Sequence, residues 1–208
     1  MPRGPLCIFL GMSQISQSRA RGRPAAASRE DVLDAGLHRY LRGQRVDVQA
    51  IASELGLGRA TIYRWFGSRE KLLGEVIIRA TEPVLVEARS GFAGKGGPGL
   101  LDTFDRFNRA LADAPALRSF VESEQEAALR IIASGAGLVQ PRMVELIAGL
   151  ISEEAEAGTY EPPVEPATLG YAIVRLAEAF LFNDAVAGIR GDVDRLREVE
   201  AALLGVPA

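Results

Sequence analysis

Apolar positions recur at helical spacing along almost the whole chain. A repeat of three and four residues marks one face of an α-helix, and the two-residue alternation of a strand is nowhere sustained. The stretch Ser28-Arg29-Glu30-Asp31 announces the first helix, with Ser28 as cap and Asp31 reaching back to it. The pattern predicts a helix to about Leu41, with Val32, Leu33, Leu37, Tyr40 and Leu41 toward the core, ended by Gly43. A short helix follows from about Val48 to Leu55, capped by Asp47 and broken by Gly56. The next spans about Arg59 to Phe66. Gly67-Ser68 breaks the chain again, and Ser68 caps a longer helix through Leu72, Leu73, Val76, Ile77 and Ala80. Glu82-Pro83 is expected to kink or stop that helix, and Gly91 to Gly99 reads as a flexible loop.

Four more helices are expected at about 100–112, 115–134, 141–157 and 166–187, with Pro141 in a first turn. A last one follows Asp192, with Val193, Leu196, Val199 and Leu203 on one stripe. The expected fold is all-α: an N-terminal trihelical helix-turn-helix unit joined by a connecting helix to a larger C-terminal bundle. Residues 1–27 are expected to be a disordered leader and basic arm, 28–80 the helix-turn-helix unit and 81–208 the bundle.

Composition narrows the class. At 48% apolar and 25% charged, the 208 residues suit a folded protein with a sizeable core. No apolar run approaches the roughly 20 residues that cross a bilayer, so no membrane role is expected. The single Cys7 excludes an internal disulfide, in keeping with an expected cytoplasmic location. The net charge of −3 hides an asymmetry: residues 1–80 carry +6 and residues 81–208 carry −9. A basic front and an acidic back is the footprint of a nucleic-acid-binding module joined to a part that avoids nucleic acid.

The basic and aromatic residues crowd into "GRATIYRWFGSREKL", residues 58–72. Two short helices around a glycine have the form of a helix-turn-helix. Ile51, Leu55, Leu57 and Ile62 supply the apolar contacts across the turn, Ala52 is small where the helices approach, and Gly56 can adopt positive φ. In that geometry the second helix enters the major groove. Arg59, Ala60 and Thr61 open it: Arg59 can read a guanine edge or meet a phosphate, and Ala60 permits close approach. Thr61, Tyr63 and Arg69 are candidate phosphate clamps, Arg64 faces forward with either role open, and Lys71 belongs to the same basic cluster. Phe66, and partly Tyr63, belong to the small core. Trp65 is either an apolar plug or a DNA contact. Upstream, Arg21 and Arg23 in Arg-Gly-Arg-Pro resemble the core of an AT-hook, an arginine arm for a narrow A·T minor groove; the alternative is a solvated basic tail.

Residues from about Ser28 to Val76, above all Ile51-Ala52, Gly56, Thr61-Ile62-Tyr63, Phe66 and Ser68 through Leu72, resemble the DNA-binding domain of the TetR family of bacterial transcription regulators. Asp47 stands where the family often has Ser or Thr at a phosphate, and a carboxylate there repels DNA unless it only caps. Gly58 replaces a usual Ser, which removes one hydroxyl contact. The resemblance implies a double-stranded operator, a homodimer, a small-molecule effector, no cofactor and usually repression.

The back half carries its own signs of a pocket and a seam. The 166–187 segment is apolar almost all round and must be covered on several sides. Together with the last helix it reads as a dimer seam. Polar residues also interrupt apolar stripes: Asn108 in the stripe of Leu101, Phe104 and Leu111; Glu124 between Val121 and Ala128; Arg175 and Glu178 on a face with Tyr171 and Phe182. Buried polar groups need partners. One reading is an effector cavity with Phe104, Phe107 and Phe120 as walls; the other is structural pairing of Arg175 with Glu178 and a backbone cap at Asn108. The segments "VESEQEAALRII" and "YAIVRLAEAFLF" resemble the QsdR-type subgroup of the family, which implies a lactone or acyl ligand.

An enzyme is not expected. The sole His38 lies in the first helix, and no metal-ligand cluster, phosphate-cradling loop or nucleophile elbow is present. A ligand-independent DNA-architectural protein using the arginine arm is the alternative. A single palindromic footprint separates the regulator from the dispersed A·T-rich coverage of an architectural protein.

Overall fold

A computed structural model describes residues 27–183 and 192–208. Arg21, Arg23 and the 184–187 end of the penultimate predicted helix lie outside the described residues. Every regular element among the described residues is helical.

The N-terminal unit comprises α1 (Arg29–Leu41), α2 (Val48–Leu55) and α3 (Arg59–Phe66), with α4 (Arg69–Arg89) packed against it. The capping box at the start of α1 is formed: Ser28 N donates to Asp31 Oδ2 at 2.7 Å and Asp31 N to Ser28 Oγ at 3.2 Å. Val32, Ile51, Leu72 and Val76 are fully enclosed where α1, α2 and α4 meet. Ion pairs from Arg79 to Glu30 and Asp34, and from Arg29 to Glu75, border the α1–α4 seam. Leu41 departs from expectation and is half exposed. It falls one position past Tyr40, about 100° around the helix, and so turns off the buried face.

Pro83 does not end α4, which runs on to Arg89. The proline forfeits only the bond to the Arg79 carbonyl, and the buried Leu85 and Ala88 hold the second half of the helix in the bundle. The expected loop at 91–99 is shorter than its glycines suggest, because α5 (Gly96–Ala112) begins inside it. The cause is distant in sequence. The buried Glu154 carboxylate accepts the Gly94 and Gly96 amides at 2.7 and 2.8 Å and the Thr159 hydroxyl at 2.6 Å, and it pairs with Arg89.

The predicted 115–134 helix is two, α6 (Pro115–Ser123) and α7 (Gln125–Ile132), broken at Glu124 with φ −137° and ψ 49°. Next come α8 (Val139–Glu156) and α9 (Pro166–Glu178), the latter continued by a wider π-turn over Ala179–Asn183. Gly170 lets α9 lie directly on α8, since a Cβ there would fall 2.9 Å from the Ala148 amide nitrogen. The last helix, α10 (Val193–Leu204), starts at the Asp192 cap. Its buried face is Leu196, Glu200, Ala201 and Leu204, with Val199 exposed. That face packs on α5 and α9 of the same chain, and of the expected stripe of Val193, Leu196, Val199 and Leu203 only Leu196 is buried in it.

Candidate nucleic-acid interface and effector cavity

The turn between α2 and α3 is built as its residues require. Gly56 has φ 65°, a left-handed conformation that costs glycine little. The Leu57 amide then closes back on Ala52 O at 2.8 Å. Ile51, Ala52, Ile62 and Phe66 are buried, and the Arg29 guanidinium lies 4.4 Å from the Phe66 ring centroid, a cation–π contact that covers the edge of this small core.

One face of α3 is left to solvent, with Arg59, Ala60, Tyr63 and Arg64 exposed, Lys71 exposed at the start of α4, and Thr61 half-buried. Tyr63 is 45% exposed, so it stands on the outer face rather than in the core. Trp65 is half-buried and packs against the core as an apolar plug. Asp47 caps α2, its Oδ1 accepting the Ala50 amide at 2.8 Å. Arg69 departs from the expected phosphate contact. It turns inward, with Nε donating to Val46 O and Nη2 to Glu124 Oε1, each at 2.7 Å. With 16% of its side chain exposed, it is committed to the protein and unavailable as a phosphate clamp.

The bundle encloses a cavity of about 660 Å³ not filled by atoms, part of it open to solvent. Its walls are Phe104, Phe107 and Leu111 on α5, Leu117 on α6, Ile132 on α7, Val139, Met143 and Ile147 on α8, and Ile173, Val174 and Ala177 on α9; Ile77 and Thr81 close it on the α4 side. Phe104, Phe107, Asn108 and Glu178 line it together. The other four expected pocket residues do not. Phe120 faces the N-terminal unit, its ring 6.3 Å edge-on from Tyr40. Glu124 pairs with Arg69 and, at 3.8 Å, with Arg45. Tyr171 is exposed on α9, and Arg175 lies at the rim, donating to Glu178 at 2.8 Å and to Ala133 O at 3.0 Å.

Two buried polar groups that the sequence pattern alone did not single out belong with the cavity: Glu200 lines it, and Gln140 stands behind Glu178. Glu200 on α10, 1% exposed, accepts both of its bonds from Asn108 Nδ2, at 3.0 and 3.2 Å. Gln140 on α8 donates to Glu178 at 2.8 and 3.0 Å. Both are signalled by helical spacing: Leu196, Glu200 and Leu204 fall at i, i+4 and i+8, and Gln140 stands at i−3 from Met143 and i−7 from Ile147. Burial pushes the Glu200 carboxyl up to about 8, and neighbouring Asp105 adds to this against the opposing Asn108 bond and Arg197 charge. Burial also raises Glu178, against Gln140 and Arg175. Among the described residues, no group of three or more His, Cys, Asp and Glu side chains could hold a metal, and no helix is long and apolar enough to cross a membrane.

Known proteins share both halves. Residues 95–205 match the family model described as the C-terminal domain of tetracyclin repressor-like proteins, and residues 42–76 match that of the tetR family of bacterial regulatory proteins. No curated protein sequence matches the chain. Among solved structures, the chain is similar to the transcriptional repressor QsdR of R. erythropolis, from the TetR family. The two share 29% identity over 86% of this chain and 95% of that one, with a TM-score of 0.80. The fatty acid degradation regulator FadR of Bacillus halodurans shares the fold at 19% identity, over 87% of this chain and 100% of that one, with a TM-score of 0.50.

Proposed function

The chain belongs to the TetR family of transcription regulators, and from that premise we propose that it is a homodimeric repressor, released from a palindromic operator by a small amphiphilic ligand. The observation that carries the reading is one helix shared by two sites. α4 starts at Arg69, three residues after the recognition helix α3 ends, and Ile77 and Thr81 on the same helix wall the cavity. A ligand that fits only one tilt of α4 therefore biases where α3 stands. In a dimer, two copies of α3 must meet half-sites about one helical turn, roughly 34–36 Å, apart. A change in their spacing lowers affinity without altering any base contact.

The α8–α9 layer, with Tyr171 exposed and open space beside Gly149, is the face through which two copies pair. Repression is supported by the likeness to QsdR, itself described as a repressor. The N-terminal arm of Arg21 and Arg23 adds minor-groove contacts on A·T-rich flanks. The proposed units are 1–27 for the arm, 28–80 for DNA binding and 81–208 for ligand and dimer.

The test is selection of bound DNA from a random library, then footprinting with the full-length chain. A single palindrome protected on both half-sites, and lost in Arg59→Ala, is expected. Dispersed A·T-rich protection that survives Arg59→Ala would instead favour an architectural protein held by its arm. Release of the footprint is then assayed with neutral lactones and acyl compounds, the class implied by the QsdR-like segments, alongside cationic and anionic amphiphiles.

A further inference from the structure

The polar part of the cavity lining is acidic. Glu178 and Glu200 bring carboxyls and Asn108 an amide, the Thr81 hydroxyl is spent on the Ile77 carbonyl at 2.7 Å, and among the described residues no Lys, Arg or His lines the walls. The two carboxyls are not equivalent. Glu178 has a cation beside it, the Arg175 guanidinium at 2.8 Å. Glu200 has none. Arg197, one turn earlier on α10, is committed to Asp102 at 2.9 Å and Asp105 at 3.6 Å. The ionisable groups around Glu200 are thus Arg197 from α10, already matched, Asp105 from α5, which repels it, and Glu178 across the cavity. Asn108 makes both bonds to Glu200 through Nδ2, and among the described residues nothing donates to its Oδ1.

Among the described residues, then, the buried Glu200 carboxyl has no counter-ion and the Asn108 amide oxygen beside it no donor, which leaves a site short of a cation with N–H donors. We propose that the cavity takes an amphiphile with a protonated amine, its ammonium seated between Glu200 and Asn108 Oδ1 and its apolar part against Phe104, Phe107, Leu111 and Met143. This rests on the reading of the cavity as the effector site and names the chemistry of the effector.

The proposal sets the direction of a pH dependence. With its carboxyl held up at about 8, Glu200 is mostly protonated at neutral pH. An incoming ammonium, which like a lysine keeps its charge across this range, displaces that proton: the acid gives up H⁺ to solvent and the carboxylate pairs with the ammonium. Affinity therefore rises about tenfold per pH unit below about 8 and levels off above it. A neutral ligand accepting the acid's O–H behaves oppositely, holding its affinity at low pH and losing it above about 8.

The experiment uses the full-length protein with octylamine, octanol and octanoate, in calorimetry and thermal-shift titrations from pH 6 to 9. Octylamine is expected to bind best, to tighten about tenfold from pH 6 to 7, and to release about one proton per molecule bound at pH 7, read from the heats in two buffers of different ionisation enthalpy. Glu200→Gln, a neutral isostere of the protonated acid, is expected to lose at least tenfold in octylamine affinity together with the pH slope. Should the variant fold poorly, the proton count on the unaltered protein decides the same question. Equal or tighter binding of octanol or octanoate, affinity that falls with pH, or full octylamine affinity in Glu200→Gln would overturn the proposal. Operator release by another class of compound, with no amine binding, sinks the ligand class and leaves the switch standing. Amine binding without operator release sinks the switch and leaves the cavity chemistry.

Discussion

Cutting the Arg69–Glu124 pair should uncouple the cavity from the recognition helix. Glu124 occupies the break between α6 and α7, helices that carry the cavity walls Leu117 and Ile132. Its partner Arg69 opens α4 and also holds the Val46 carbonyl, one residue before the Asp47 cap of α2. The pair therefore ties the pocket wall to the helix-turn-helix through two bonds of 2.7 Å, with both side chains only 16% exposed. A charge-assisted hydrogen bond of this kind contributes about 1.5–3 kcal/mol, and Arg45, exposed and 3.8 Å away, replaces little of it. A double-mutant cycle of Glu124→Gln, Arg69→Met and both together, followed by urea unfolding, should give an interaction energy of about 1–2 kcal/mol. The same variants are then titrated with operator DNA, with and without a releasing ligand. In Glu124→Gln the ratio of the two operator affinities should shrink about tenfold, while ligand-free affinity changes much less. If the cycle reports the pair and the ratio stays at its original value, the coupling runs through α4 alone and the reasoning is wrong.

On the DNA side, Arg59→Ala and Tyr63→Ala should each weaken operator binding, Arg59→Ala by about 1–3 kcal/mol concentrated at one base position if it reads a base edge; band-shift titration on single-base operator variants checks this. Phe107→Trp adds volume to the cavity wall and should abolish release while sparing operator affinity, at a stability cost of about 1–3 kcal/mol in unfolding experiments. Glu200→Gln changes the pH profile of stability. The folded pKa of about 8 lies above the ordinary value of 4.5, so the stability this group contributes is full below about 4.5 and lost as pH rises toward 8. The wild type should accordingly lose about 1.4 kcal/mol per pH unit in that window relative to the variant, and urea unfolding at pH 5 and 8 measures the difference. Glu154→Ala strands the Arg89 guanidinium, 12% exposed, with the Gly94 and Gly96 amides, and should cost about 3–5 kcal/mol of stability, read from the same kind of unfolding curve.

What the sequence made legible was local. The caps at Ser28, Asp47 and Ser68, the left-handed turn at Gly56 and the limits of α2 and α3 follow from residues within a few positions of each other, and all are present in the structure. What it concealed depended on partners far along the chain. Arg69 reads as a phosphate clamp until Val46 and Glu124, 23 and 55 positions away, claim its guanidinium. Phe120 and Glu124 do lie on an inward stripe, but that stripe faces Tyr40 and Arg69 of the N-terminal unit instead of the cavity. Tyr171, Arg175 and Glu178 share a helical face, yet only Glu178 is deep enough in the bundle to reach the cavity lining. Periodicity tells that a residue points inward; which of two interiors it enters is decided by tertiary packing.

The same distinction governs how the switch can work. A hundredfold release of operator requires about 2.7 kcal/mol of differential ligand affinity between the two states of the dimer, and DNA must weaken ligand binding by the same hundredfold. Burial of apolar surface alone serves both states almost equally if the cavity merely tightens, so it sets affinity more than it sets the difference. The carboxyl of Glu200 is better placed to discriminate. It sits on α10, which packs on α5 and α9, and its bonds to Asn108 hold it in the polar part of the cavity lining. A small movement of α5 shifts Asn108 against Glu200 and changes the cost of ionising a buried acid, which is large per ångström, whereas an apolar contact changes little. Proton, ligand and operator are then linked. At a fixed, sub-saturating amine concentration, raising the pH from 6 to 8 should by itself release the operator, and the same pH change should release far less of it when the amine is absent.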